Sequence, residues 1–86
     1  MKNDLIIDEY GTKRYYLNDK YHREDGPAIE YANGTKVWCL HNKYHRIDGP
    51  AAEYPSGAKN WYVNGKYIPV NSQREFEQYL KFKAFW

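Results

Sequence analysis

Residues 20–28 read Lys20-Tyr21-His22-Arg23-Glu24-Asp25-Gly26-Pro27-Ala28, and residues 43–51 repeat them almost intact as Lys43-Tyr44-His45-Arg46-Ile47-Asp48-Gly49-Pro50-Ala51. The two copies are 23 residues apart, and a third begins at Lys66 but decays to Tyr67-Ile68-Pro69-Val70. A fixed period without insertions is the signature of a stacked repeat. Further positions keep the period in five sets: Gly11, Gly34 and Gly57; Lys13, Lys36 and Lys59; Tyr15, Trp38 and Trp61; Lys20, Lys43 and Lys66; Tyr21, Tyr44 and Tyr67.

The composition predicts one small domain with an aromatic core. The 86 residues include ten Tyr, three Trp and three Phe, and a chain of this length buries only about 60–65% of its unfolded surface. We therefore expect a single repeat domain over residues 1–86. The net charge of +2 is too small to identify a nucleic-acid-binding protein by itself, so the placement of the cations matters more.

The single cysteine and the apolar runs bear on the compartment. Cys39 has no partner for an internal disulfide, which suits a reducing environment. No apolar run approaches the length of a signal peptide or a membrane span. We expect a cytoplasmic protein that has no membrane partner and no cofactor.

Turn residues divide the chain into three hairpins. Asn33-Gly34 is a strong hairpin signal because both residues tolerate positive φ, and Gly11 and Gly57 occupy the corresponding positions. The return segments centre on Asp-Gly-Pro, where glycine permits the turn. We predict hairpins over about 4–26, 27–49 and 50–67, joined in a six-stranded antiparallel meander. The predicted strands cover 4–10, 13–18, 28–31, 35–41, 51–54 and 59–64.

Alternation along the second strand of each hairpin assigns the two faces of the sheet. We expect the face that carries the tryptophans to be buried and the opposite face to meet solvent. The first set is Lys13, Tyr15, Leu17, Lys36, Trp38, Leu40, Lys59, Trp61 and Val63. The second set is Arg14, Tyr16, Asn18, Val37, Cys39, His41, Asn60, Tyr62 and Asn64.

The last segment changes to a helical period. Ser72-Gln73-Arg74-Glu75 matches a capping box, and Phe76, Tyr79, Leu80 and Lys83 follow at helical spacing. We predict an amphipathic helix over residues 73–84 that covers the apolar face of the sheet. The predicted fold class is mainly β with one C-terminal helix packed on the sheet. Phe85 and Trp86 are candidates for a latch or a partner contact.

The repeated His-Arg-x-Asp phrase favours a structural role over catalysis. It is similar to the catalytic loop of a protein kinase, but no glycine-rich loop or Asp-Phe-Gly accompanies it. Repetition is typical of a scaffold, in which Asp25 and Asp48 cap the turns and Arg23 and Arg46 brace them through ion pairs. The three histidines, His22, His41 and His45, lack the spacing of a metal site. We predict no catalytic residues, no metal and no enzymatic activity.

Ladders of cations recur once per repeat and suggest RNA. Two strands of a sheet span roughly 9–10 Å, so each ladder sets positive charges about that far apart. Cations that follow a phosphate chain, interleaved with aromatic rings, form sequence-tolerant single-strand binders. The structural alternative is that the lysines recur only because the unit recurs. The candidate phosphate contacts are Lys13, Arg14, Lys20, Arg23, Lys36, Lys43, Arg46, Lys59 and Lys66, with Tyr16 and Tyr62 as stacking platforms.

The pattern Gly-x-Lys-x-Trp-Tyr-x-Asn-Gly-Lys-x-His-Arg-x-Asp-Gly-Pro-Ala resembles the MORN-variant repeats of accessory proteins from tailed phages and giant viruses. Residues 34–51 carry it, residues 11–28 carry a looser copy, and residues 57–66 carry its first part. The chain departs from the pattern at Cys39 and His41, where Tyr and Asn are expected, and at Ile68-Pro69, where His-Arg is expected.

The repeat identifies a scaffold and not a function. Among small phage proteins with such repeats, the chain resembles inhibitors of host toxin-antitoxin endoribonucleases. That resemblance implies a phage anti-defence function in the host cytoplasm, in which the protein binds RNA and, together with that RNA, sequesters the host endoribonuclease. The alternative is a protein–protein module that docks a host factor without nucleic acid, through exposed strand edges or through Phe85 and Trp86. Unpaired sheet edges also favour a homo-oligomer.

Overall fold

The computed structural model describes residues 3–83 and shows antiparallel strands followed by one helix. The predicted fold class, a β-hairpin meander with a C-terminal helix, is confirmed. The elements are β1 (Asp4–Ile7), β2 (Lys13–Leu17), β3 (Lys20–Tyr21), β4 (Ile29–Glu30), β5 (Lys36–Val37), β6 (Cys39–Leu40), β7 (Lys43–Tyr44), β8 (Ala52–Glu53), β9 (Lys59–Val63), β10 (Lys66–Ile68) and α1 (Gln73–Lys83).

The strands follow one another across the sheet in chain order. Seven of them form the path β1-β2-β4-β5-β8-β9-β10, β3 pairs with β2 beside this path, and β6 pairs with β7. Backbone bonds connect these side ladders to their neighbours: Arg23 N donates to Cys39 O at 3.1 Å, and Arg46 N donates to Tyr62 O at 3.3 Å. The third and fifth strands across the meander are therefore interrupted, and residues 23–27 and 46–50 loop out of them.

Each repeat contains a second, tighter hairpin that the sequence analysis missed. Two-residue turns join β2 to β3, β6 to β7 and β9 to β10, and both residues of each turn have positive φ. This is the type I′ geometry, whose twist matches that of paired strands. The predicted return segments therefore begin as strands. The turn residues are Asn18 and Asp19 (53° and 65°), His41 and Asn42 (50° and 70°), and Asn64 and Gly65 (50° and 83°).

The turn at Asn33-Gly34 differs from the prediction. Gly34 takes φ +96°, whereas Asn33 does not take positive φ. Tyr31 N donates to Thr35 O at 2.8 Å, and Gly34 N donates to Tyr31 O at 2.9 Å. The expectation of positive φ at both residues was wrong, because this longer loop needs only one left-handed residue at its end. The Asn33 side chain instead accepts a hydrogen bond from Thr35 N at 2.9 Å.

The two sides of the sheet each carry part of the core. We call the side with Lys13, Lys36 and Lys59 the lysine face, and the side with Tyr16, Cys39 and Tyr62 the tyrosine face. On the lysine face, Trp61 is 4% exposed, as predicted. On the tyrosine face, Val37 and Cys39 are 3% and 1% exposed, so their predicted solvent exposure was wrong. The half-buried rings of Tyr21 and Tyr44 pack against this second core and exclude water from it.

The helix closes one end of the lysine face. Ser72 Oγ accepts a hydrogen bond from Glu75 N at 3.2 Å, and Glu75 Oε1 accepts one from Asn71 N at 3.3 Å. Phe76 is fully buried against Trp61 and Ile68, so the predicted helix and its packing on the sheet are confirmed. The expected roles of Phe85 and Trp86 lie outside the described residues. In residues 3–83 no helix is long and apolar enough to cross a membrane.

Candidate nucleic-acid interface

An arginine brace holds each complete copy of the repeated phrase. Arg46 lies over the Trp38 ring, with Cζ 3.8 Å from the centroid. Its Nε donates to Asp48 at 3.1 Å, and its NH1 donates to Glu53 at 3.0 Å and to the Pro50 carbonyl at 3.1 Å. The side chain is only 21% exposed. Nε, NH1 and one face of the guanidinium therefore make contacts within the fold.

The first repeat contains the same brace. Arg23 Cζ lies 4.0 Å from the centroid of the Tyr15 ring. The guanidinium donates to Asp25 at 3.1 Å, to Pro27 O at 3.2 Å and to Glu30 at 3.4 Å. Both arginines thus make the ion pairs that the structural interpretation of the phrase predicts, and both are less accessible to a phosphate than an exposed lysine.

The glycines of the phrase make room for these arginines. Neither Gly26 nor Gly49 has positive φ, so the expectation that glycine is needed for turn geometry was wrong. A Cβ added at Gly49 would lie 2.5 Å from Arg46 Cζ, and one at Gly26 would lie 3.0 Å from Arg23 Cζ. Glycine at these positions leaves the space in which the guanidinium lies against the backbone.

The third repeat replaces the brace with the helix. Pro69 stands where the arginine is expected, and Trp61 is covered by Phe76 instead. The Trp61 indole donates to Gln73 Oε1 at 2.7 Å, while Gln73 Nε2 donates to the Ile47 carbonyl at 3.2 Å. The helix thus seals the last aromatic residue of the row and contacts the loop of the preceding repeat, as a capping element of a repeat array does.

The two phrase histidines connect neighbouring repeats. His22 Nδ1 accepts a hydrogen bond from His41 N at 3.1 Å, and His45 Nδ1 accepts one from Asn64 N at 3.0 Å. Each donor is the first residue of the type I′ turn in the next repeat. His22 is 4% exposed, and its Nε2 lies 3.8 Å from Glu24 Oε1. This geometry fixes the register between repeats.

The first lysine ladder belongs to a row of alternating charge on the lysine face. Lys13 is the cross-strand neighbour of Glu30, and Lys36 lies between Glu30 and Glu53. Glu53 in turn neighbours Lys59. Opposite charges at facing positions offset each other's field. This row therefore offers little net attraction to a phosphate chain.

The second ladder has apolar neighbours instead. We call Lys20, Lys43 and Lys66 the turn lysines, because each directly follows a type I′ turn. All three are exposed, and within residues 3–83 their ammonium groups make no ion pair or hydrogen bond. They recur every second strand, at about 9–10 Å. Their cross-strand neighbours are Leu17, Leu40 and Val63.

The predicted stacking platforms lie on the other side of the sheet. Tyr16 stacks on Tyr21 with centroids 5.0 Å apart, while Tyr62 contacts Tyr44 at 5.1 Å and Tyr67 at 5.6 Å. These rings form a row on the tyrosine face. The structure therefore separates the tyrosines from both lysine ladders and does not interleave them on one surface.

Arg14, the remaining candidate cation, is paired near this tyrosine row. Its NH1 donates to Asp8 Oδ2 at 2.9 Å. This hydrogen bond lowers the pKa of Asp8 and raises that of Arg14. A hydrogen bond with Tyr21 is the main cause of the raised pKa of Tyr16. Arg14 thus has an intramolecular counter-ion, unlike the turn lysines.

Burial suppresses ionisation at the centre of the tyrosine face. Desolvation raises the pKa of the Cys39 thiol to about 11. It also raises the pKa of Tyr44, with smaller contributions from nearby groups that include Tyr31 and Tyr54. A thiol that stays protonated at neutral pH is a poor nucleophile.

A groove of about 490 Å³ separates the two braced loops on the lysine face. Trp38 and Leu40 contribute apolar surface to its lining, and Ile47 lies on the second loop. The exposed carboxylates of Glu24, Asp25 and Asp48, 83%, 84% and 88% exposed, also line it. Arg23 and Arg46 also line the groove, but each is paired with two carboxylates. The groove therefore presents apolar surface beside exposed negative charge, which is unsuited to a phosphate.

Residues 3–83 contain no group of three or more His, Cys, Asp or Glu side chains placed to hold a metal ion. The fold and its repeated braces define a small antiparallel β-repeat protein with a helical end cap. Comparisons with protein-family models, with curated proteins and with solved structures find no match to this chain.

All the cations were predicted as one set of phosphate contacts, and the two ladders were not separated. The signal that distinguishes the ladders is the residue that faces each lysine on the neighbouring strand. Glu30 and Glu53 recur with the first ladder, whereas Leu17, Leu40 and Val63 precede the turn lysines by three residues. Recognising the type I′ hairpins would have placed those apolar residues opposite the turn lysines.

Proposed function

We propose that the protein is a non-enzymatic RNA-binding protein that contacts phosphates through the turn lysines. The observation that carries this proposal is the difference between the two ladders: no carboxylate faces Lys20, Lys43 or Lys66 on the paired strand, whereas Lys13, Lys36 and Lys59 alternate with glutamates. Three regularly spaced, solvated ammonium groups suit a flexible polyanion. The roles of Tyr16 and Tyr62 as stacking platforms stay a prediction.

Salt dependence tests the phosphate contacts directly. Each phosphate neutralised on a single strand contributes about −0.7 to the slope of log K against log salt. Three turn lysines therefore contribute about −2. We expect fluorescence polarisation with a labelled single-stranded RNA to show this steep dependence for the wild-type protein.

A matched pair of triple variants separates the two ladders. Replacing Lys20, Lys43 and Lys66 with Gln should remove about 2 units of slope. Replacing Lys13, Lys36 and Lys59 with Gln changes the net charge equally, yet should leave most of that slope. Equal losses in the two variants would show that binding follows net charge and not the turn lysines, and would reject the proposed site.

We further propose a phage anti-defence role in the host cytoplasm. The chain resembles the T-even-type phage inhibitor of the ToxN endoribonuclease toxin in repeat style, length and charge layout. On this proposal, RNA held on the turn lysines bridges the protein to the basic surface of a host toxin nuclease and sequesters it. Adding the protein to such a nuclease should inhibit cleavage, and the turn-lysine variant should not inhibit.

A protein–protein module is the second candidate, favoured by the groove between the braced loops. Its exposed carboxylates and its Trp38 and Leu40 lining suit a basic, partly aliphatic segment of a host factor. Nuclease treatment distinguishes the two functions, because a direct complex survives digestion of RNA and an RNA-bridged complex does not. Glu24→Lys should weaken only the direct complex, because Glu24 lines the groove and takes no part in either brace.

A further inference from the structure

The first strand of the sheet has an open outer edge. β1 pairs with β2 on one side, and no residue in the range 3–83 pairs with its other side. Three consecutive aliphatic side chains lie on this strand: Leu5, Ile6 and Ile7 are 46%, 54% and 55% exposed. An edge strand with such side chains is a template for pairing with another strand.

The repeat shows what is missing beside β1. One period after Leu5 and Ile6 come Ala28 and Ile29, which are 0% and 4% exposed. The later pair, Ala51 and Ala52, is fully buried. Those residues have strands on both sides, because β4 lies between β2 and β5, and β8 lies between β5 and β9. The equivalent neighbour of β1 is therefore a β-strand.

The opposite edge of the sheet is protected. β10 carries the exposed Lys66, Pro69 follows it directly, and the helix packs on Ile68. Lysine and proline on an edge oppose strand addition. A head-to-tail contact between β1 and β10 is therefore disfavoured, and so is an open filament, which such a contact would generate.

We infer that β1 pairs antiparallel with β1 of a second copy of this chain, around a two-fold axis at Ile6. An axis normal to the sheet keeps the two lysine faces on the same side, so facing residues must come from the same face. Centring at Ile6 meets this requirement: Ile6 faces its own counterpart, and Leu5 faces Ile7 of the second copy. Both contacts are aliphatic.

Charge at the ends of the strand is compatible with this register. Asp4 would face Asp8 of the second copy, and Asp8 is already hydrogen-bonded to Arg14 at 2.9 Å. Arg14 lies beside Ile6 on the tyrosine face, since the two are cross-strand partners. Its guanidinium has five donors, so one arginine can serve both carboxylates. The four-residue strand buries less than a standard interface, and we expect a reversible dimer.

Analytical ultracentrifugation across a concentration series tests the interface. The wild-type protein should shift from monomer to dimer as its concentration rises. Ile6→Lys should stay monomeric, because two ammonium groups would face each other across the axis. Ile47→Lys is the matched control: Ile47 is 47% exposed but lies on a braced loop, so this variant should dimerise like the wild type. Circular dichroism checks that both variants are folded.

Charge complementation tests the register. An equimolar mixture of Ile6→Lys and Ile6→Glu should form heterodimers, whereas Ile6→Lys alone should stay monomeric, because Arg14 beside residue 6 can offset added carboxylates but not added ammonium groups. Restored association supports a two-fold axis through Ile6. A wild-type protein that stays monomeric throughout, one that forms ever larger oligomers, or an Ile6→Lys variant that dimerises alone would each overturn the inference. None of these outcomes depends on RNA binding.

Discussion

The Arg46 guanidinium lies over the Trp38 ring, with Cζ 3.8 Å from the ring centroid, and covers an aromatic residue with a charged one. A single sheet needs side chains packed over each face, and here the five-residue loop 46–50 covers Trp38. Ion pairs to Asp48 and Glu53 satisfy the charge while the guanidinium face replaces apolar packing. Stability and surface charge are therefore linked in the first two repeats.

Removing the brace should destabilise the fold. Arg46→Ala loses a cation–π contact of about 1 kcal/mol and charge-assisted hydrogen bonds of about 1.5–3 kcal/mol. We expect the free energy of unfolding to fall by about 2–3 kcal/mol in urea titrations. Lys36→Ala, on the same face, should change it by less than about 0.5 kcal/mol. Similar effects from the two substitutions would contradict a structural role for Arg46.

Substitution of the phrase glycines should have graded effects. Gly49→Ala places Cβ 2.5 Å from Arg46 Cζ, whereas Gly26→Ala leaves 3.0 Å to Arg23 Cζ. Because Arg46 must leave Trp38 to make room, Gly49→Ala should cost about 1–3 kcal/mol of unfolding free energy, and Gly26→Ala less. Thermal unfolding monitored by Trp fluorescence measures both. The reverse order would show that backbone conformation, not the arginine, requires glycine.

The repeat period predicted the architecture because every strand and turn recurs with it. The type I′ hairpins were missed although Asn64-Gly65 carries the same dipeptide signal as Asn33-Gly34. In the repeat alignment that turn corresponds to His41-Asn42 and Asn18-Asp19, and composition alone identifies neither of them as a turn. The period therefore carries information that local propensity lacks.

The burial of the faces was harder to predict. Alternation placed Val37 and Cys39 together correctly but could not show that tyrosines from neighbouring strands cover them. The role of Gly49 was likewise hidden, because it depends on where a side chain three residues earlier comes to lie. Both features arise from packing between segments, which a local pattern does not encode.

The hydrogen bonds that the phrase histidines accept at Nδ1 should contribute to the free energy of unfolding. His22→Ala leaves the His41 N–H without its partner and opens a cavity, so we expect a loss of about 2 kcal/mol in unfolding free energy. His22→Asn offers an oxygen near the position of Nδ1 and should recover part of that loss. Urea titrations of the three proteins test this. If His22→Asn is no more stable than His22→Ala, the loss of stability comes from packing alone.

The thiol of Cys39 should be unreactive in the folded protein, and its ionisation should make the free energy of unfolding depend on pH. Burial raises its pKa from 9.0 to about 11, so the folded state favours the protonated form. Its contribution to stability is complete below pH 9 and is lost as the pH rises to about 11, because the unfolded thiol ionises first. Unfolding free energies measured across this range should fall with pH, and Cys39→Ala should flatten the decline without removing the part due to Tyr16 and Tyr44.

A thiol reagent should label Cys39 in the native protein only at the rate at which the protein opens and exposes the thiol, and should label it at once in denaturant. Immediate labelling of the native protein would show that Cys39 is accessible.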